Sequence, residues 1–272
     1  SMYPSTTITV RLIENTGRWV ECNATVAVND SIAPTAVCKD ITVYLNNAGT
    51  YTLSASEIDN GSSDNCSVNI SIPSTTFTCA DAGSTIPITL TATDQAGNSD
   101  QCTANVTVSD NLPPNVVTKQ VTVQLDATGN GSIVPADVDN GSSDNCGIAN
   151  LSLDKSTFTC ADVPSVLINL TATDVNGNGN SAPALVVVQD NLPPTVLTKD
   201  ITVQLDSSGQ VTILPADIDN GSSDNCGIDS MEVVPETLSC ADLGTTTVDL
   251  VVHDINGNQA SAQATITVED NI

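Results

Sequence analysis

Aspartate and asparagine side chains gather in two constellations along this chain, and closely spaced oxygens of that kind hold hard cations such as calcium. The first is an octapeptide, Asp59-Asn60-Gly61-Ser62-Ser63-Asp64-Asn65-Cys66, which returns unchanged over 139–146 and 219–226 while the residues after it drift. An acid stands two residues ahead of it (Glu57, Asp137 or Asp217), and another stands two residues after a second cysteine (Asp81, Asp162 or Asp242). The candidate calcium ligands here are Asp59, Asp64, Asn65 and Asp81; Asp139, Asp144, Asn145 and Asp162; and Asp219, Asp224, Asn225 and Asp242. The second constellation lies where repeats meet. Asp94 and Asn98 close one repeat and Asp110 with Asn111 opens the next; Asp174, Asn178, Asp190 and Asn191 repeat the arrangement. Each has a metal-free alternative: an Asx-turn built on Asn-Gly in the loop, and an Asp-capped tight turn at Gly97 or Gly177. The spacing is not that of an EF-hand, because Gly61 comes too early and no Glu follows at the twelfth position. Calcium in the loop, at the junction, in both or in neither all stay open at this level.

These residues are positioned by a tandem array. Asp30, Asp110, Asp190 and Asp270 precede linkers such as Asn111-Leu112-Pro113-Pro114, and each repeat ends on a turn such as Asp94-Gln95-Ala96-Gly97-Asn98. The period is 80 residues, dividing the chain into repeats over 30–109, 110–189 and 190–272, the last including the start of another linker. Residues 1–29 read as the end of a preceding repeat, with Glu14 in the place of Asp94, and Ser1-Met2 as a tag scar. Two strands cannot close a sandwich, so this segment is expected to pack on the first full repeat or to pair with a second molecule.

Thirty-two acidic residues against 6 basic ones, a formal charge of −26, exclude an electrostatic nucleic-acid binder. With 39% hydrophobic residues the chain is no disordered acidic tail, yet only 2% are aromatic, so Val, Ile, Leu and Ala must fill the cores. No apolar run reaches the ~18 residues of a membrane span. Nine cysteines in short repeats indicate an oxidising, extracellular compartment. The expected bonds are Cys66–Cys79, Cys146–Cys160 and Cys226–Cys240, each closing a short loop, and Cys38–Cys102, two cysteines that are absent together from the other repeats. Cys22 is left unpaired. With no Cys-x-x-Cys and a single histidine, structural zinc is not indicated.

Period-two alternation runs through Ile86, Ile88, Leu90 and Ala92, then through Ala104, Val106 and Val108, and recurs at Ala184–Val188 and Val248–Val252. With turn signals every 8–12 residues and no helical stretch, the fold class is all-β: tandem immunoglobulin-like sandwiches of about seven strands, forming an elongated rod. Pro183 marks the last strand of the second repeat as an edge.

The linker, the octapeptide, the Cys-Ala-Asp segment and the Thr-Ala-Thr-Asp-x-x-Gly-Asn close together resemble hyalin-type (HYR) repeats, nearest to the tandem arrays of Bacteroidetes cell-surface proteins, including gliding-motility adhesins. The resemblance covers nearly the whole chain and implies an extracellular adhesive or spacer role without catalysis. It departs at Ser31, Glu14 and the missing outer cysteine pairs. The residues support the same absence of catalysis: His253 cannot form a Ser-His-Asp relay in each repeat, and lone Trp19 is no sugar platform. The expected function is therefore a non-catalytic stalk or adhesive segment of a cell-surface adhesin, disulfide-stapled and calcium-stiffened where a site exists. Its partners would be neighbouring repeats and surface glycans or proteins. The alternative is a carbohydrate- or protein-binding accessory module of a secreted enzyme.

Overall fold

In the three full repeats the alternating pattern becomes long strands that bury one face. The structure, a computed structural model, describes residues 6–271; the reading of Ser1-Met2 lies outside them. β1 (Thr6–Ile13) and β2 (Trp19–Val26) pair antiparallel as a hairpin. Every residue of both strands is exposed, so the hairpin does not pack on the first full repeat.

That repeat contains β3 (Ile41–Tyr44), β4 (Thr50–Leu53), α1 (Ala55–Ile58), β5 (Val68–Ser71), β6 (Thr75–Thr78), β7 (Thr85–Asp94) and β8 (Ser99–Ser109). One sheet has the order β3-β8-β7-β5 and the other is the pair β4-β6. Leu53 and Phe77 from the small sheet meet Ile88, Leu90, Val106 and Val108 from the large one in a single core. The second repeat follows the same plan: β9 (Val121–Gln124), β10 (Asn130–Ser132), α2 (Pro135–Val138), β11 (Ile148–Leu153), β12 (Thr157–Thr159), β13 (Ser165–Asp174) and β14 (Gly179–Gln189). So does the third: β15 (Ile201–Gln204), β16 (Gln210–Thr212), α3 (Pro215–Ile218), β17 (Ile228–Val234), β18 (Thr237–Ser239), β19 (Gly244–Asp254) and β20 (Gln259–Glu269). The fold is all-β, a series of immunoglobulin-like sandwiches. Each repeat has six strands rather than seven, and the expected absence of helix is corrected by single turns. α1 to α3 form because a carboxylate at the third position accepts the N-cap amide: Glu57 from Ser54, Asp137 from Val134 and Asp217 from Leu214. These three acids are thereby used up as caps.

Chain contacts define two compact units. The first holds residues 1–114 with 143–149 and 173–179; the second holds 115–142, 150–172 and 180–272. The closing turn of the second repeat thus belongs to the same unit as the first repeat.

Pro183 does not mark an edge strand, because β14 lies between β13 and β9. The reason it is tolerated is local. β9 pairs only with Val186–Gln189, and beside Pro183 the chain offers a side chain instead, the Thr118 hydroxyl donating to Pro183 O at 2.7 Å.

Candidate metal centre and the covalent joint beside it

Strand parity explains how acids come to be buried. In β13 the inward residues are Ile168, Leu170 and Ala172, and the next on that face is Asp174; in β14 they are Ala184, Val186 and Val188, and the next is Asp190. The same register leads from Val108 to Asp110 and from Val252 to Asp254. An apolar face therefore terminates in a carboxylate at each end of the repeat. Asp110, Asp174, Asp190 and Asp254 are 7%, 2%, 5% and 3% exposed.

Two trios result. Asp110, Asp144 and Asp174 place carboxylate oxygens within 4.8 Å of one another, and Asp190, Asp224 and Asp254 do the same. Each trio lies inside one compact unit. Asp174 Oδ1 accepts from the amides of Asn176 and Asn178, and its Oδ2 accepts from Asn178 Nδ2 with a second lone pair to spare. Asp144 Oδ1 accepts from Cys146 N and Gly147 N, and Asp110 Oδ1 from Leu112 N and Asn145 Nδ2. The other oxygens, Asp110 Oδ2 and Asp144 Oδ2, are buried without a hydrogen-bond partner among the described residues, as are Asp190 Oδ2 and Asp224 Oδ2 in the second trio. Asn145 Oδ1 is orphaned beside the first.

Among the described residues, no salt bridge joins a basic side chain to either trio. Unit charges 4.8 Å apart repel by roughly 3 kcal/mol per pair at an effective dielectric of 20, which is more than a typical hydrogen bond returns. Anionic and neutral oxygens without nitrogen or sulfur ligands are the donor set of a hard cation, and an irregular set suits calcium better than octahedral magnesium. The residues present therefore fit calcium. Asp30 and Asp64 converge at the corresponding place in the first repeat, joined by Cys66, but this group is more exposed.

The two constellations read from the sequence are thus one place. The octapeptide supplies Asp144 and Asn145, the closing turn Asp174 and Asn178, and the linker Asp110, whose carbonyl accepts from Asn178 Nδ2 at 3.2 Å. Asn98 and Asn258 clamp their linkers in the same way through the carbonyls of Asp30 and Asp190. The remaining candidates lie elsewhere. Asp59, Asp139 and Asp219 form the Asx-turn, accepting from Ser62, Ser142 and Ser222 amides. Their carboxyls are held below the ordinary range, first by the hydrogen bond to that serine's side chain. Asp81, Asp162 and Asp242 cap the turns at Cys79–Asp81, Cys160–Asp162 and Cys240–Asp242, accepting from Thr78, Thr159 and Ser239 amides. Asn111 is exposed, and Asn191 Nδ2 donates to Gln124.

The disulfides correct the expected pairing. Cys38–Cys102 is present, but Cys66–Cys79, Cys146–Cys160 and Cys226–Cys240 are not formed. Cys79 bonds Cys146 and Cys160 bonds Cys226, each joining one repeat to the next. Register gives the reason. The octapeptide leads into β5, where Val68 faces Asp94, near the level at which β8 begins. Cys79 leads into β7 at the other end, where Gly83 N donates to Val108 O. Nine residues of β8 separate those levels, about 30 Å, far beyond the reach of a disulfide. Cys22 and Cys240 are free and exposed. Asn145 ties the joint to the metal site. Its Nδ2 reaches both Asp110 Oδ1 and Asn46 O, and its neighbour Cys146 carries the bond to Cys79. Asn225 does the same with Asp190 and Asp126 beside Cys226.

No protein-family model matches the sequence, and no curated protein matches it. Among solved structures, the extracellular domain of protocadherin GammaB4 aligns over 97% of this chain and 54% of its own length, at 13% identity and a TM-score of 0.33. This chain thus spans about half the length of that protein. A titin fragment of three immunoglobulin domains aligns over 88% of this chain and 100% of its own, at 13% identity and a TM-score of 0.39. Mouse clustered PcdhgC3 aligns over 69% and 77%, at 14% identity and a TM-score of 0.31. No helix among the described residues is long and apolar enough to cross a membrane.

Proposed function

We propose that this chain is a non-catalytic segment of an extracellular stalk or adhesin, built from hyalin-type repeats whose junctions are clamped by calcium and locked by disulfides. The observation that carries the reading is the pair of buried aspartate trios with orphaned carboxylate oxygens, each at the point where a linker enters a repeat. A cation there would neutralise the linker's Asp110, the octapeptide's Asp144 and the closing turn's Asp174 together, which fixes three segments that strand pairing alone leaves separate. Three disulfides among the described residues support an oxidising compartment. The hyalin-type resemblance adds the surface of a bacterium and gliding-motility adhesins as the setting, with surface glycans or proteins as the ligands of such an array.

Thermal melts in EDTA, millimolar calcium and millimolar magnesium test it. Calcium at ~100 times its dissociation constant adds about 2.7 kcal/mol to the unit that binds it, a rise of roughly ten degrees for a domain of this size. Asp144→Asn with Asp224→Asn should abolish the rise and, by removing two of the three repulsions in each trio, raise the melting temperature in EDTA. Melts that coincide in EDTA and calcium would refute the clamp.

A further inference from the structure

The third repeat carries one half of a joint that is closed twice elsewhere in the chain. In the first two repeats this half has three parts: the cysteine after the small sheet (Cys79, Cys160), a glycine in the turn before β4 or β10 (Gly49, Gly129), and the carbonyl of the residue opening that turn (Asn46, Asp126). An Asn-Cys pair fills it both times. Asn145 Nδ2 donates to Asn46 O at 3.3 Å, and Asn225 Nδ2 to Asp126 O at 3.2 Å. Cys146 and Cys226 supply the bonded sulfurs. The incoming backbone sits so close that a Cβ on Gly49 would lie 2.7 Å from Asn145 O, and one on Gly129 2.8 Å from Asn225 O. Glycine is required there for space as well as for its positive φ of 69° and 73°.

The third repeat has the same parts. Gly209 has φ 72°, and Asp206 opens the turn by accepting from Gly209 N at 2.9 Å. Cys240 Sγ lies 3.6 Å from Gly209 O, as Cys79 Sγ lies 3.6 Å from Gly49 O. Among the described residues a Cβ on Gly209 would meet Cys240 Sγ alone, and none of them takes the space that Asn145 and Asn225 take in the closed joints. Cys240 is a free, exposed thiol.

We infer that the face formed by Asp206, Gly209 and Cys240 is a docking site for the Ser-Asp-Asn-Cys turn of a further repeat, sealed by a disulfide between Cys240 and that turn's cysteine. Recognition is by the turn's Asn amide on the Asp206 carbonyl and by its backbone against Gly209. Sealing proceeds by exchange: the Cys240 thiolate attacks the turn's cysteine held in a mixed disulfide, and the displaced thiol takes the proton and the electron pair. Starting from two thiols, a small-molecule disulfide accepts the two electrons and is reduced to its thiols.

The test uses the intact chain and a peptide of the sequence of residues 139–148, its cysteine carried as a thiopyridyl mixed disulfide. Comparison reagents are the same peptide with Asn145→Ala and thiopyridyl glutathione. Conjugation at Cys240 should be about tenfold faster with the native peptide, the worth of one or two hydrogen bonds, while exposed Cys22 should not discriminate. The native conjugate should also slow hydrogen exchange across residues 206–210 relative to the glutathione conjugate. That protection supports the docking site even where the free peptide is too disordered to gain in rate. Equal rates at Cys240 together with unchanged exchange would overturn it, leaving Cys240 an ordinary surface thiol.

Discussion

At the scale of single residues, the same amino acid does opposite things according to which amides face it. Asp139 is satisfied at both oxygens by the turn it builds, through Ser142 N and Gly141 N. Asp144, five residues on, spends one oxygen on its turn and leaves the other buried without a partner. The residue types and the repetition of these acids were legible in the sequence. Their division into turn-builders and ligands was not, because it depends on which oxygen the fold leaves facing another carboxylate. The Asx-turn has a pH signature. The Asp139 carboxyl titrates below its ordinary value because the hydrogen bond to the Ser142 side chain, the Ser142 and Gly141 amides and the charge of Lys119 favour the anion over the cost of burial. A depressed folded value means that the stabilisation is complete above the unfolded value of about 3.9 and is lost as pH falls through the folded one. Melts in EDTA should be flat from pH 7 to about 5 and fall below about 4. Asp139→Asn should shrink that acid limb; an acid limb of unchanged depth would show that the turn contributes nothing to it.

At the scale of elements, period-two alternation was enough to place β7, β8, β14 and β19, since each buries one face. Register was not legible, and register decides the site. Parallel pairing of β3 with β8, Ile41 facing Val106 and Tyr44 facing Ser109, puts the Asn46–Gly49 turn beside Asp110 and away from the octapeptide of its own repeat. The cysteine sequence alone allows pairing within a repeat or between repeats, and the shorter loop was the wrong choice. The outer disulfide shows how one position can be held by two chemistries. Where the first repeat has Cys38, the others have threonine, and Thr118 and Thr198 donate at 2.7 Å to Pro183 O and Gln263 O. Thr118→Ala should cost about 1 kcal/mol. Thr118→Cys with Ala182→Cys should reproduce the Cys38–Cys102 bond, whose separation of 64 residues corresponds to roughly 4 kcal/mol of loop-closure entropy. Denaturant unfolding of the oxidised double variant measures the gain, and a midpoint no higher than that of the reduced form would show that the two repeats differ in backbone at this place.

At the scale of the whole molecule, each compact unit contains one copy of the same device: a disulfide between successive repeats, an asparagine next to one of its cysteines, and an aspartate trio that the asparagine touches. The coupling is physical because Asn145 is a single residue with both duties. Its Nδ2 holds Asp110 in the trio, and the bond through Cys146 limits how far its backbone can move. Opening the disulfide frees that backbone, so a cation binding afterwards must order it at the expense of affinity. Cys79→Ser with Cys146→Ser should therefore weaken calcium binding at the first trio by about tenfold, equivalent to 1.4 kcal/mol, as read by calorimetric titration of Asp224→Asn protein. Cys38→Ser with Cys102→Ser is the control that separates coupling from general loss of stability. It removes a bond of similar loop length that touches no member of the trio, so it should lower the melting temperature and leave calcium affinity unchanged. Equal weakening by both pairs would mean that the metal senses only how stable the unit is, and the asparagine bridge would carry no coupling.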